Sequence, residues 1–499
     1  MSLNKIKLTR ESFTLGLNRL KVQSLHRVMV IGMAVSGQAV SNFLIDNDVD
    51  VVAVDDCSSD NSLPTKLRTF CSELGIEMVE TPDFRLLKKL LDDVDLVVLS
   101  PGVPPTHPVF SLRSQLHIVS ELELAWAFCD VPIVAVTGTN GKTTVCTLLT
   151  EILCSSGINA QAVGNIGIPL ISAVHHSAPL STGKSADVFV VEASSFQLAF
   201  TFSFHPKVAI WLNVSPNHLD WHPSMEDYIR SKSKIWANLD SDDTAIAGYD
   251  DPVVMQKVME AKETTGVNVV TFGLRDGDWC IKDGWVISDT GEKVLLQSEL
   301  YANSLTTSLN SLAGCAGAYS IVRALNTGDA GGASVIRRDM VGIRKSCAQV
   351  LKSFKGLPHR MEFVKEHMGV GYFNDSKATT PVAVLSALAQ FPPKSVILIA
   401  GGRSKGLDLS VLRKESGKLK AVVGIGEASV QIQRVFDGCC HIEQAHNMLQ
   451  AVELASSLAS SSDVVLLSPG CSSFDWYSSY IARGEEFKRC VYSIIGGDR

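Results

Sequence analysis

Lys142 and Thr143 follow directly on a glycine turn, Gly138-Thr139-Asn140-Gly141, and an apolar run, Val134-Ala135-Val136-Thr137, leads directly into it. Thr144 and a helical pattern through Val145, Leu148, Leu149 and Ile152 come next. Strand, turn and helix N-terminus together make a phosphate site, because backbone N–H groups and the helix dipole converge on one anion. Lys142 adds a point charge near the outer phosphates, and the Thr143 hydroxyl suits Mg²⁺. The general phosphate-loop pattern has a further glycine where this chain has Val136, so Gly138–Thr144 is a shorter variant. A lone pair of glycines would read as an ordinary strand-to-helix turn. Lys-Thr right after the second glycine, with a strand right before the first, favours nucleotide binding.

Other residues suited to this chemistry lie downstream. The run Asp187–Val191 ends in Glu192, followed by Ala193-Ser194-Ser195-Phe196-Gln197. A carboxylate at the C-terminal end of a buried strand beside a phosphate loop is a natural Mg²⁺ ligand. His218 sits in Asn217-His218-Leu219-Asp220 after the apolar run Val208–Leu212, and Lys232 sits in the helical stretch Tyr228–Trp236. Taken singly, His218 reads as a polar loop residue and Lys232 as a solvated helix lysine. Toward the C-terminus come Arg360, the run Asn374-Asp375-Ser376-Lys377-Ala378-Thr379, and two apolar runs that end in polar glycine loops. One loop is Gly401–Gly406 with Lys405; the other is Ser468–Asp475 with Ser473 and Phe474.

Alternating strands and helices must position these groups. Val28–Ile31 reads as a buried strand turning through Gly32-Met33-Ala34-Val35-Ser36-Gly37 into a helix. This approaches the dinucleotide fingerprint G-x-G-x-x-G, with Ala34 in place of the middle glycine. Asp55 ends the next strand, where an acid reads a ribose or base hydroxyl. The predicted fold is α/β with three domains. These are a Rossmann-like domain over 1–120 with a basic extension at 1–27, a central ATPase sheet of the P-loop type over 121–357, and a second Rossmann-like domain over 358–499.

Composition narrows the classes. Hydrophobic residues at 45% and charged residues at 19% are ordinary for a globular chain, and a net charge of −7 argues against a general nucleic-acid binder. No apolar window is long enough to span a bilayer. The twelve cysteines are scattered with no C-x-x-C pair, which points to reduced thiols and a cytoplasmic setting. The first 27 residues carry Lys5, Lys7, Arg10, Arg19, Lys21 and Arg27 against Glu11. That pattern fits a basic helix and the remnant of a transit peptide equally; the latter would place the protein in a plastid stroma.

In this order the motifs resemble the Mur ligase family of ATP-dependent amino-acid ligases, over nearly the whole chain from Val28 onward. The most specific pieces are Gly138–Thr144, the turn Gly164-Asn165-Ile166-Gly167, Glu192–Gln197, and Asn217–Asp220 with Lys232. Asp375–Thr379 and Ser468–Cys471 join them, and these two favour a D-glutamate-adding member. The resemblance implies a substrate carboxylate that attacks the ATP γ-phosphate, and an acyl phosphate that the incoming amine converts to an amide. It implies that Thr143 and Glu192 hold one Mg²⁺, and that His218 and a carbamylated Lys232 hold a second. Asn165, Ser194 and Gln197 would contact a UDP-linked muramoyl substrate, and Ala34, Val35, Ser36 and Asp55 its UDP end. Arg360, Asp375 and Lys377 would reach ATP. Lys405, Ser473 and the Phe474 backbone would take D-glutamate. The family's adenine-side His-Asn-x-x-Asn aligns with Thr306-Thr307-Ser308-Leu309-Asn310, so Asn310 alone is expected to serve adenine. The expected partners are small molecules, with no nucleic acid or membrane, and a monomer is expected. Two other readings are another amide ligase of this architecture and a nucleotide-binding homologue without catalysis.

Overall fold

Short apolar runs bounded by glycines or acids become strands buried on both faces, the pattern of parallel sheets covered by helices. The computed structural model describes residues 7–56, 65–115, 117–176, 186–219, 221–300, 305–327, 340–404 and 407–496. Asp220, Lys405 and the Gly331–Ser334 stretch lie outside the described residues. The chain divides into two units, Met1–Phe354 and Lys355–Arg499.

The first unit holds two parallel sheets. One is ordered Glu77–Glu80, Asp50–Asp55, Arg27–Ile31, Leu96–Leu99, Ile118–Ser120. Its order reverses between Arg27–Ile31 and Leu96–Leu99, the place where open α/β sheets bind ligands. The helix Val35–Asp46 packs hard against the loop there: a Cβ on Gly37 would stand 2.1 Å from the Gly32 carbonyl oxygen. The other sheet is ordered Asn268–Phe272, Thr244–Gly248, Val208–Trp211, Ile133–Thr137, Val188–Glu192, Ala160–Gly164. The two sheets share one continuous core, from Leu20 and Val30 to Ala135, Val191 and Trp211. Ser120, at the expected join of first and central domains, is the N-cap of the helix Glu121–Ala127. A three-stranded antiparallel sheet, Cys280–Lys282, Trp285–Ile287 and Lys293–Leu296, packs with the helices Leu305–Thr327 and Met340–Ser353.

The basic N-terminal segment is folded from Arg10 to Leu20 as a helix capped by Thr9. The Arg19 guanidinium donates to the carbonyls of Ala127 (3.1 Å) and Cys129 (2.8 Å), capping the C-terminus of the helix Glu121–Ala127.

The second unit has a six-stranded sheet ordered Glu362–His367, Val370–Asn374, Val464–Gly470, Val396–Gly401, Leu419–Ile425, His441–Gln444. The first pair is antiparallel and the rest parallel. Its polar loops therefore leave neighbouring strand ends, as the sequence pattern predicts.

Candidate active site

Strand register assembles the phosphate side. Ile133–Thr137 lies between Val208–Trp211 and Val188–Glu192, with Val136 opposite Glu192 and Thr137 opposite Trp211. The glycine turn thus leaves the sheet beside Glu192 on one side and Asn213 on the other. Asn213 Oδ1 accepts from the Thr139 N–H at 3.2 Å and the Asn140 N–H at 3.0 Å, which holds the turn in shape. Gly141 is the N-cap of the helix Lys142–Ser155 at φ +86°. The backbone angle requires glycine, and a Cβ there would also stand 2.5 Å from Asn310 Oδ1, so the Asn310 amide would have to move. Asn310 is buried against this turn from the helix Leu305–Thr327.

At the mouth of the turn, the Thr143 hydroxyl donates to Glu192 Oε2 at 2.8 Å. Asn165 Nδ2 donates to Glu192 Oε1 at 2.9 Å, and its N–H donates to the Glu192 carbonyl at 2.9 Å. Thr143 and Glu192 together present hydroxyl and carboxylate oxygens, the donor set that Mg²⁺ takes. Lys142 is folded over its own loop, donating to the carbonyls of Gly138 at 2.7 Å and Thr139 at 3.0 Å.

Lys232 differs sharply from a solvated helix lysine. It is 1% exposed, donates to the Gly138 carbonyl at 2.9 Å, and lies 4.8 Å from the centre of the Tyr228 ring. Burial, with the nearby Lys142 charge adding to it, holds its amine well below the usual lysine range despite Glu192. The Tyr228 hydroxyl pairs with Thr139 Oγ1 at 3.1 Å, tying the Lys232 helix to the turn. His218 is exposed, has φ +55°, and sets its ring edge against Phe196 at 4.8 Å between centroids.

Ser194 and Gln197 form a capping box at the start of the helix Ser195–Ala199, and both are buried. In the first sheet, Asp55 accepts from the Met33 N–H, and burial raises its carboxyl. Val35 is 70% exposed and Ser36 is half-buried, at the open end of the helix Val35–Asp46. Trp221 Nε1 donates to the Val103 carbonyl at 3.0 Å, joining the His218 loop to the first sheet. A narrow pocket between the two sheets is lined by Ser100, Val103, Phe110, Phe196, Gln197 and Trp221.

In the second unit, Arg360, Asp375 and Lys377 come together. Asp375 is buried and accepts from Ser468 Oγ at 2.8 Å and from the Met361 N–H at 3.2 Å. Burial pushes its carboxyl up to about 7, against the pull of those hydrogen bonds and Arg360. Lys377 stands over the Tyr480 ring and its N–H donates to the His359 carbonyl. Buried Arg483 staples the neighbouring loops, donating to Ser376 Oγ, the Ser376 carbonyl and the Cys471 carbonyl. Ser473 is buried and Phe474 is 55% exposed. Sequence reasoning missed Asn213, Tyr228 and Arg483. Asn213 carried a signal, a polar residue at a strand end, whereas Tyr228 and Arg483 read as ordinary helix residues.

Family models match almost end to end: a Mur ligase MurD-like N-terminal domain at residues 26–119, a Mur ligase middle domain at 136–313, and a Mur ligase glutamate ligase domain at 359–471. The chain belongs to the Mur ligase family. Family relatives include the UDP-N-acetylmuramoylalanine–D-glutamate ligase of Pelotomaculum thermopropionicum, 37% identical over 94% of this chain and 98% of the relative. The enzymes of that name from Geotalea daltonii and Aquifex aeolicus are each 35% identical, over 95% and 84% of this chain and 98% and 94% of theirs. Among solved Mur ligase structures, MurF from Acinetobacter baumannii shares the fold with a TM-score of 0.53 at 14% identity, covering 97% of this chain and 99% of that one. A pseudomurein peptide ligase from Methanothermus fervidus does so at 0.52 and 17%, covering 94% and 100%. The D-glutamate ligase relatives, which are bacterial, give no support to a plastid setting. No helix among the described residues is long and apolar enough to cross a membrane.

Proposed function

We propose that the protein is an ATP-dependent ligase that joins D-glutamate to UDP-N-acetylmuramoyl-L-alanine in peptidoglycan precursor synthesis. The observation that carries the reading is the cluster of Thr143, Glu192 and Asn165 at the glycine turn, with the buried amine of Lys232 behind it. The relatives' shared name supplies the substrates.

The substrate carboxylate attacks the ATP γ-phosphorus, the bond to ADP breaks, and an acyl phosphate forms. The D-glutamate amine then attacks the acyl carbon, loses a proton, and phosphate leaves as the amide forms. Both steps gather negative charge at one point, and preorganised donors there contribute most to rate. Lys142 exchanges the Gly138 and Thr139 carbonyls for phosphate oxygens, while the N–H groups of Gly138–Thr144 cradle the chain of phosphates. Thr143 and Glu192 would hold one Mg²⁺, and His218 with Lys232 a second; the ions would neutralise phosphate charge when bound.

Lys232 suits that role only once modified. Its unprotonated amine attacks CO₂, a C–N bond forms, and a proton leaves to water, giving a carbamate anion. An ammonium would repel the cation, and the carbamate supplies oxygen ligands. Asn165, Ser194 and Gln197 serve the muramoyl substrate, Val35, Ser36 and Asp55 its uridine diphosphate. Asn310, Arg360, Asp375 and Lys377 serve ATP, and Ser473, Phe474 and Lys405 serve D-glutamate. The protein works as a monomer; its compartment is a reducing one, a reading that the eleven described cysteines, all free thiols, support. The test is ADP release with UDP-N-acetylmuramoyl-L-alanine and a panel of amino acids. Turnover with D-glutamate alone is the expected result; equal turnover with D-alanine would move the assignment to another ligase of this family.

A further inference from the structure

We infer that Glu121 is a positioning residue for the muramoyl-nucleotide side of the site, tying the turn that carries Asn165 to the loop that carries Ser194. The inference rests on the function proposed above.

Glu121 opens the helix between the two sheets of the first unit, and its side chain is 1% exposed. A carboxylate so placed is costly unless its oxygens are satisfied. Each oxygen has a different partner. Oε1 accepts from the Ile171 N–H at 2.8 Å, and Oε2 accepts from Gln197 Nε2 at 3.4 Å. Burial pushes the carboxyl up to about 7, opposed by these same hydrogen bonds.

Each partner leads to one arm of the site. Ile171 is in the first turn of the helix Leu170–His176, which follows directly on the Gly164–Gly167 turn. That turn is closed by the Gly164 N–H donating to the Ile168 carbonyl at 2.9 Å, and it aims Asn165 at Glu192. Gln197, in the other arm, accepts through Oε1 from the Ser194 N–H at 3.1 Å and from Ser194 Oγ at 3.0 Å. An amide can flip, and flipped it would face Ser194 with donors. Glu121, accepting from Nε2, fixes the orientation that holds Ser194. Gln197 also lines the narrow pocket between the two sheets. One carboxylate therefore sets Asn165, Ser194 and Gln197 together, and touches none of the phosphate-loop residues.

Glu121→Gln places an amide NH₂ against Gln197 Nε2, donor against donor. The KM for UDP-N-acetylmuramoyl-L-alanine should rise about tenfold, with the KM for ATP unchanged. Adding Gln197→Glu restores the sequence of donors and acceptors. The carboxylate introduced at position 197 accepts from Ser194 and from the amide introduced at position 121, and the carbonyl of that amide accepts from the Ile171 N–H. A crystal structure of the double variant should therefore show the Ser194 N–H and hydroxyl donating to position 197 again, whatever the substitution does to substrate contact there. Equal rises in both KM values for Glu121→Gln, or Ser194 contacts still broken in the double variant, would overturn the inference. A crystal structure of Glu121→Gln with the Ser194–Gln197 capping box unchanged would overturn it too, whatever the substrate. Failure of the unmodified protein to turn over the muramoyl nucleotide would instead count against the proposed function.

Discussion

Lys142 and Lys232 donate to one and the same acceptor, the Gly138 carbonyl, at 2.7 and 2.9 Å. Two ammonium groups so close would repel, and burial decides which gives way: Lys232 is the one held well below its usual range. The active protein should carry a CO₂ adduct at Lys232, seen by native mass spectrometry or crystallography. Lys232→Ala should lose nearly all turnover and regain part of it with a small added carboxylate. An unmodified Lys232 in active, Mg²⁺-loaded protein would refute this.

Lys142→Ala should lower turnover about a hundredfold or more, the scale of removing one preorganised donor from a developing charge. Binding of UDP-N-acetylmuramoyl-L-alanine should be unchanged by calorimetry, because Asp55 and Val35 lie at the end of the other sheet. Turnover near that of the unmodified protein would remove ATP from the glycine turn.

Gly141→Ala tests the turn itself. A left-handed backbone costs a non-glycine residue about 1–2 kcal/mol, and here the new Cβ also meets Asn310 Oδ1 at 2.5 Å. The variant should melt earlier and bind ATP more weakly. Asn310→Ala in the same chain should restore part of the Tm, since it removes the collision and leaves the strained angle. A Tm equal to that of the starting protein would show that the turn tolerates a side chain.

Asp375 gives a pH dependence with a definite sign. Its folded carboxyl is raised to about 7, so the folded state binds the extra proton and stability falls as pH rises from about 4 to about 7. Asn is close in shape to the protonated acid, accepts from the Met361 N–H, and donates to Ser468. Asp375→Asn should match the unmodified protein at pH 4.5 and exceed it at pH 8, by up to about 4 kcal/mol if the whole effect is expressed. Chemical denaturation followed by Trp476 fluorescence would measure it, and an Asn variant less stable at pH 8 would reverse the sign. Its ligase activity should fall at both pH values.

Much of the site was legible in the sequence because it depends on local chemistry. A strand, two glycines and Lys-Thr define a phosphate turn wherever they occur, and the acids at strand ends, Asp55 and Glu192, follow from the alternation of strands and helices. Those patterns determined the α/β class and the order of the three parts. The tertiary structure decided what depends on neighbours distant in the chain. Lys232 looks like a surface lysine by spacing, and only its burial beneath the Gly138 carbonyl and against Tyr228 holds its amine well below the usual lysine range. The basic segment before Val28 fits two readings by its sequence; the tertiary structure folds Arg10–Leu20 as a helix whose Arg19 caps a helix more than a hundred residues away. Glu121 gave no signal at all, since a glutamate in the first turn of a helix is ordinarily solvated. Its burial between Ile171 and Gln197 arises only when two sheets pack on one core, and desolvation at that junction is a property of the packing.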